Sequence, residues 1–107
     1  MSVTMRIVQR FDAGREREFM QLEQRFAALE ASRPDYPKGK RLQPLAGVEP
    51  CNTLIWEAEF ADLEAARRAL DFFAGDSAHE ELLRQQAPLF QQVRVEFYRN
   101  LDFVSNS

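Results

Sequence analysis

A chain of 107 residues with a net charge of −3 is long enough for a single domain, residues 1–107, with one modest core. Its charge argues against a dedicated nucleic-acid or anionic-membrane surface. With 45% hydrophobic and 29% charged residues it has a globular composition, and no apolar run approaches the roughly 20 residues of a membrane helix. Cys51 is the sole cysteine, which excludes an internal disulfide; with no signal-peptide pattern at the start, a reducing cytoplasm is the expected location.

The first element is a strand over residues 3–11, where Val3, Met5 and Ile7 alternate with Thr4, Arg6, Val8 and Arg10. Asp12-Ala-Gly14 breaks it, and Asp12 is placed to cap a helix over residues 15–32. Phe19, Leu22, Phe26 and Leu29 make that helix's apolar stripe. Pro34 and Pro37 end it and start a turn. Residues 40–46 read as a second strand, and Pro44 within it, having no N–H to donate, assigns it to a sheet edge.

The third strand is the clearest. Over residues 53–60, Leu54, Trp56, Ala58 and Phe60 alternate with Ile55, Glu57 and Glu59. Asp62 then caps a helix carrying Leu63, Ala66, Leu70 and Phe73, which Gly75 stops. Ser77-Ala-His-Glu80 has the form of a capping box starting a new helix that ends before Pro88. From Gln92 a fourth strand sets Val93, Val95 and Phe97 against Arg94, Glu96 and Tyr98. The tail Leu101-Asp-Phe-Val104 is unusually apolar for a terminus.

The order β-α-β-β-α-β predicts an α+β, ferredoxin-like fold: a four-stranded antiparallel sheet in order 4-1-3-2 with both helices on one face. Met5, Ile7, Leu54, Trp56, Phe60, Val93, Val95 and Phe97 are expected beneath the helices. The other, open face would carry Arg6, Arg10, Glu57, Glu59, Arg94, Glu96 and Tyr98, with Val8 and Ile55 among them. Mixed charge and apolar residues on a single-layer sheet predict a homodimer through that face.

Leu54-Ile-Trp-Glu-Ala-Glu-Phe60, Asp62-Leu63, the broken second helix with Asp76-Ser-Ala-His79 and the closing Val95-Glu-Phe97 together resemble the dimeric α/β-barrel superfamily. That group includes antibiotic-biosynthesis-type monooxygenases and heme-degrading enzymes. The resemblance spans nearly the whole chain and implies a barrel made by two open faces, with a ligand inside. It also implies a cofactor-independent oxygenase or isomerase acting on a small polar or aromatic compound. The alternative is a non-catalytic dimeric binding or structural module whose barrel interior is filled by ion pairs.

The candidate ligand-binding residues are Arg6, Arg10, Glu57 and Tyr98, strand side chains that point into one space on the open face. The carboxylates Glu57, Glu59 and Glu96 flank the arginines, which favours a neutral polar ligand over an anion. His79, the sole histidine, falls in the first turn of its helix and is expected to be exposed. It comes earlier than a heme ligand of the resembled family would, and the first strand lacks the asparagine of the heme-degrading members, so no heme or other cofactor is expected. Cys51 has no basic neighbour in sequence to activate it, and one histidine with one cysteine makes no closed zinc site. Trp56 reads as a core anchor. No phosphate loop, nucleophile elbow or basic RNA-binding strand motif is present.

Overall fold

In the computed structural model, which describes residues 1–103, Arg6 stands between Glu57 on one neighbouring strand and Glu96 on the other. That register runs through the central strand β1 (Val3–Phe11), which pairs antiparallel with β3 (Thr53–Phe60) and β4 (Phe90–Arg99). The short strand β2 (Lys40–Leu42) pairs with β3, giving the order β2-β3-β1-β4 of a ferredoxin-like α+β fold. β2 lies at the sheet edge as Pro44 implies, but it is shorter than the sequence suggests, ending at Leu42 rather than 46, before the proline is reached. Glu57 lies opposite Arg6 and Lys40 at once, so the row Lys40–Glu57–Arg6–Glu96 crosses all four strands with alternating sign.

The helices are α1 (Glu16–Ser32), α2 (Leu63–Gly75) and α3 (Ser77–Gln86). Asp12 caps a one-turn 3-10 segment, accepting from the Gly14 N–H at 2.9 Å, so α1 starts just beyond it. Asp62 caps α2 as expected, accepting from Ala65 N–H at 2.8 Å. The cap of α3, however, is Asp76 and not Ser77: its carboxylate accepts from the His79 N–H at 3.0 Å. Asp76 takes the extended backbone a cap requires, and Arg33 holds its carboxylate in place at 2.8 Å, leaving Ser77 as the first helical residue. Lys38 reaches back to the carbonyls of Glu30 and Arg33 at the end of α1, where a cation answers the unpaired carbonyls.

Two apolar clusters fill the space between the layers. Met5, Trp56 and Ala58 pack under Ala66 and Ala69 of α2, whose small side chains let that helix lie close to the sheet. Phe11, Phe19, Leu22, Leu54 and Leu89 form the second cluster, with the Phe11 and Phe19 rings stacked at 4.4 Å. Val93, Val95 and Phe97, expected beneath the helices, do sit on the helix-facing side of β4 but keep 47%, 40% and 39% of their surface exposed. The reason is coverage: α2 packs on β3 and β1, α1 packs against α3, and the β4 edge is left bare. Leu101 and Phe103 are exposed as well, and Val104 lies outside the described residues. No helix among the described residues is long and apolar enough to cross a membrane.

Candidate functional site

The open face gathers Arg6, Glu57 and Tyr98 as the alternating pattern implies. Arg6 Nε donates to Glu57 at 2.7 Å, and its guanidinium lies over the Tyr98 ring at 5.3 Å. Tyr98 donates in turn to Glu96 at 2.8 Å. Arg10 stands apart, further along β1, donating to Gln92 at 2.6 Å. Arg94 pairs with Glu96 at 2.6 Å and with Glu49 from the loop after β2. The hydrogen bond from Arg94, then that from Tyr98, holds the Glu96 carboxyl below its ordinary range; the same bond to Glu96 pushes the Tyr98 hydroxyl up. A shallow depression of about 390 Å³ overlies Arg6, Val8, Ile55 and Tyr98, but much of its rim, including Leu42, Ala46 and Val48, is exposed. These charges largely answer one another.

A second space lies on the opposite side of the sheet, between strands and helices. This cavity, about 220 Å³, is walled by rings and aliphatic chains from every layer: Ile7, Phe26, Trp56, Leu70, Phe73 and Val93 among them. Set into that wall is a polar cluster. Glu23 and Glu30, two turns apart on α1, are each 7% exposed. Arg41 of β2 bridges them, with Nε 2.7 Å from Glu23 and Nη2 3.3 Å from Glu30. Gln86 of α3 donates to Glu23 at 3.0 Å, while Glu30 accepts from the Trp56 indole and the Gly39 backbone N–H, both at 3.1 Å. Gly39 is required at that spot: a Cβ there would fall 2.3 Å from the Trp56 ring.

His79 and Tyr36 complete the wall. His79 is not exposed as its helix position suggests: its side chain retains 16% of its surface, with the ring stacked on Phe73 at 4.9 Å and close to Phe26 at 5.2 Å. The Asp76 cap and the break after Gly75 turn the first residues of α3 inward over α2, which carries the imidazole to the cavity. Its Nδ1 lies 3.3 Å from Glu80, and its Nε2 makes no hydrogen bond among the described residues. Tyr36, 4% exposed, packs edge-on to Phe72 at 5.4 Å beneath the Arg33 guanidinium. Its hydroxyl also makes no hydrogen bond among the described residues. Burial, with Asp76 and Glu30 adding to it, pushes that hydroxyl well above the ordinary tyrosine range, so it stays protonated.

Glu23, Glu30, Tyr36, Arg41 and Gln86 are not marked as site residues by any motif of the sequence. A signal was present: Phe19, Glu23, Phe26 and Glu30 repeat at four, three and four residues, so two carboxylates share the apolar stripe of α1. Cys51 is exposed in its loop, and its backbone carbonyl accepts from Gln43. Among the described residues no group of three His, Cys, Asp or Glu side chains could hold a metal ion.

No family model matches the sequence, and no curated protein matches it in sequence. Solved structures do share its shape. A NIPSNAP family protein from Agrobacterium tumefaciens superposes with a TM-score of 0.80 at 16% identity, over 96% of this chain and 89% of that one. A NIPSNAP domain protein from Burkholderia xenovorans gives 0.76 at 18% identity, over 99% and 100%. SnoaB, a cofactor-independent oxygenase from Streptomyces nogalater, gives 0.65 at 19% identity, over 98% of both chains. The fold is the one these proteins share. At such identities the likeness speaks for architecture, and it agrees with the resemblance to antibiotic-biosynthesis-type monooxygenases carried by the strand and helix pattern.

Proposed function

We propose that this chain is a small-molecule-binding α/β-barrel protein, working as a homodimer, whose ligand sits in the cavity between sheet and helices. One observation carries the reading: Glu23, Glu30, Arg41, Gln86 and Tyr36, whose hydroxyl is unbonded among the described residues, converge within a largely apolar wall. Buried ion pairs are often no more stabilising than apolar residues of the same volume, so stability alone is a weak reason for such a cluster. A few convergent polar groups in an apolar cavity are what a ligand site needs.

The likeness to SnoaB supports an enzymatic use: oxygenation without a cofactor, or isomerisation, of a small polar or aromatic compound. His79 is the proposed proton acceptor, because its Nε2 is unbonded in the cavity wall while Nδ1 meets Glu80. A non-catalytic binding module remains the alternative.

A second reading keeps the ligand on the open face, against Arg6, Arg10, Glu57 and Tyr98, and the depression there supports it. In the proposed arrangement that face meets a second copy instead, because its alternating charges suit a self-complementary two-fold contact. The test is thermal shift with a panel of one- and two-ring aromatic compounds, repeated on His79→Ala, Tyr36→Phe, Arg6→Ala and Tyr98→Phe. The ligand-induced rise should vanish in the first two variants and persist in the last two. The reverse pattern moves the site to the open face, and oxygen uptake or its absence with the bound compounds separates oxygenase from binding module.

A further inference from the structure

We propose that the ligand of the inner cavity is an organic cation, a primary ammonium group on a single aromatic ring, recognised by Glu23 and Glu30. This deepens the reading of that cavity as a ligand site and rests on it.

Two buried carboxylates in the wall face one guanidinium, Arg41. The other cations nearby are held elsewhere: Lys38 on the carbonyls at the end of α1, and Arg33 on Asp35 and Asp76. The fixed charge of the wall is therefore negative, and a residual buried charge is costly until a partner answers it.

Ring chemistry points the same way. Phe26, Tyr36, Trp56 and Phe73 surround the space, and aromatic faces attract cations and repel anions. Tyr36, in the same wall, adds a hydroxyl with a lone pair for an ammonium N–H. An anion, by contrast, would meet a single guanidinium, Arg41, already spread across two carboxylates.

The experiment is calorimetry on the full chain at neutral pH with three one-ring probes: benzylammonium, benzyl alcohol and benzoate. The expected result is benzylammonium binding at least about tenfold more tightly than benzyl alcohol, a gap of about 1.4 kcal/mol, with no heat from benzoate. Glu23→Gln should bring the ammonium down to the level of the alcohol and leave the alcohol unchanged; Glu30→Gln serves if that variant does not fold. Should benzyl alcohol or benzoate match the ammonium on the unaltered protein, the charge assignment is overturned while the cavity stands. If none of the three binds at millimolar concentration, the cavity reading fails and this inference with it.

Discussion

The indole nitrogen of Trp56 donates to the Glu30 carboxylate at 3.1 Å, tying the central sheet to the last turn of α1 through a buried bond. Trp56 thus has two tasks: its ring fills the core beside Ala66 and Ala69, and its N–H supplies part of what Glu30 lost on leaving water. Trp56→Phe keeps most of the first and removes the second. A loss of about 1–3 kcal/mol is expected, read as a fall in Tm of roughly 4–8 °C per kcal/mol for a domain of about 100 residues.

Arg41 serves two carboxylates, so its removal should cost more. Arg41→Met leaves Glu23 and Glu30 buried with neutral donors alone, and about 3–5 kcal/mol of destabilisation is expected in urea unfolding. Adding Glu23→Gln to Arg41→Met should restore part of that loss, because the second change removes a stranded charge. Strict additivity of the two single changes would show that the pair is not coupled.

How far the chain could be read from its sequence follows from which forces set each feature. Strand parity is local, so Met5, Trp56, Glu57 and Tyr98 fall on the faces their alternation gives them. The 4-1-3-2 order places Arg6 between the strands of Glu57 and Glu96, and the register sets it directly opposite both. The inner cluster was hidden because its members come from different elements: Glu23 and Glu30 from α1, Arg41 from β2, Gln86 from α3. Only the two glutamates leave a periodic trace, and a charge on an apolar stripe reads first as the stripe's margin. His79 is less exposed than its sequence position implies, because helix position alone cannot tell which way a short helix turns after a break. That direction is set by Asp76 and Arg33, a long-range pair.

Gly39 tests the packing above Trp56. A Cβ at this position meets the indole at 2.3 Å from Cε2 and 2.7 Å from Nε1, with no flexible chain end to give way. Gly39→Ala should therefore push the ring off Glu30 and cost about 1–3 kcal/mol, in the range of other overpacked cores. Near-ultraviolet circular dichroism of the single tryptophan should change in parallel, and an unchanged spectrum at full stability would contradict the close approach.

Asp76 carries the acid sensitivity of the α2–α3 junction. The His79 backbone N–H, then the Arg33 guanidinium, hold its carboxyl below the ordinary aspartate range. A group whose folded pKa is depressed binds fewer protons folded than unfolded. Its contribution is therefore complete above the unfolded value of about 3.9 and is lost as pH falls through the lower folded value. Asparagine caps a helix about as well as aspartate, so Asp76→Asn keeps the bond from His79 and removes only the charge. At pH 7 the variant should melt below the unaltered protein, since Arg33 loses one of its two carboxylates. Below about pH 4 the two melting curves should converge, because the unaltered protein loses through protonation what the variant already lacks. Thermal melts at half-unit pH steps measure this. Melting curves that coincide at every pH, neutral pH included, would mean that Asp76 acts at the junction through its shape alone.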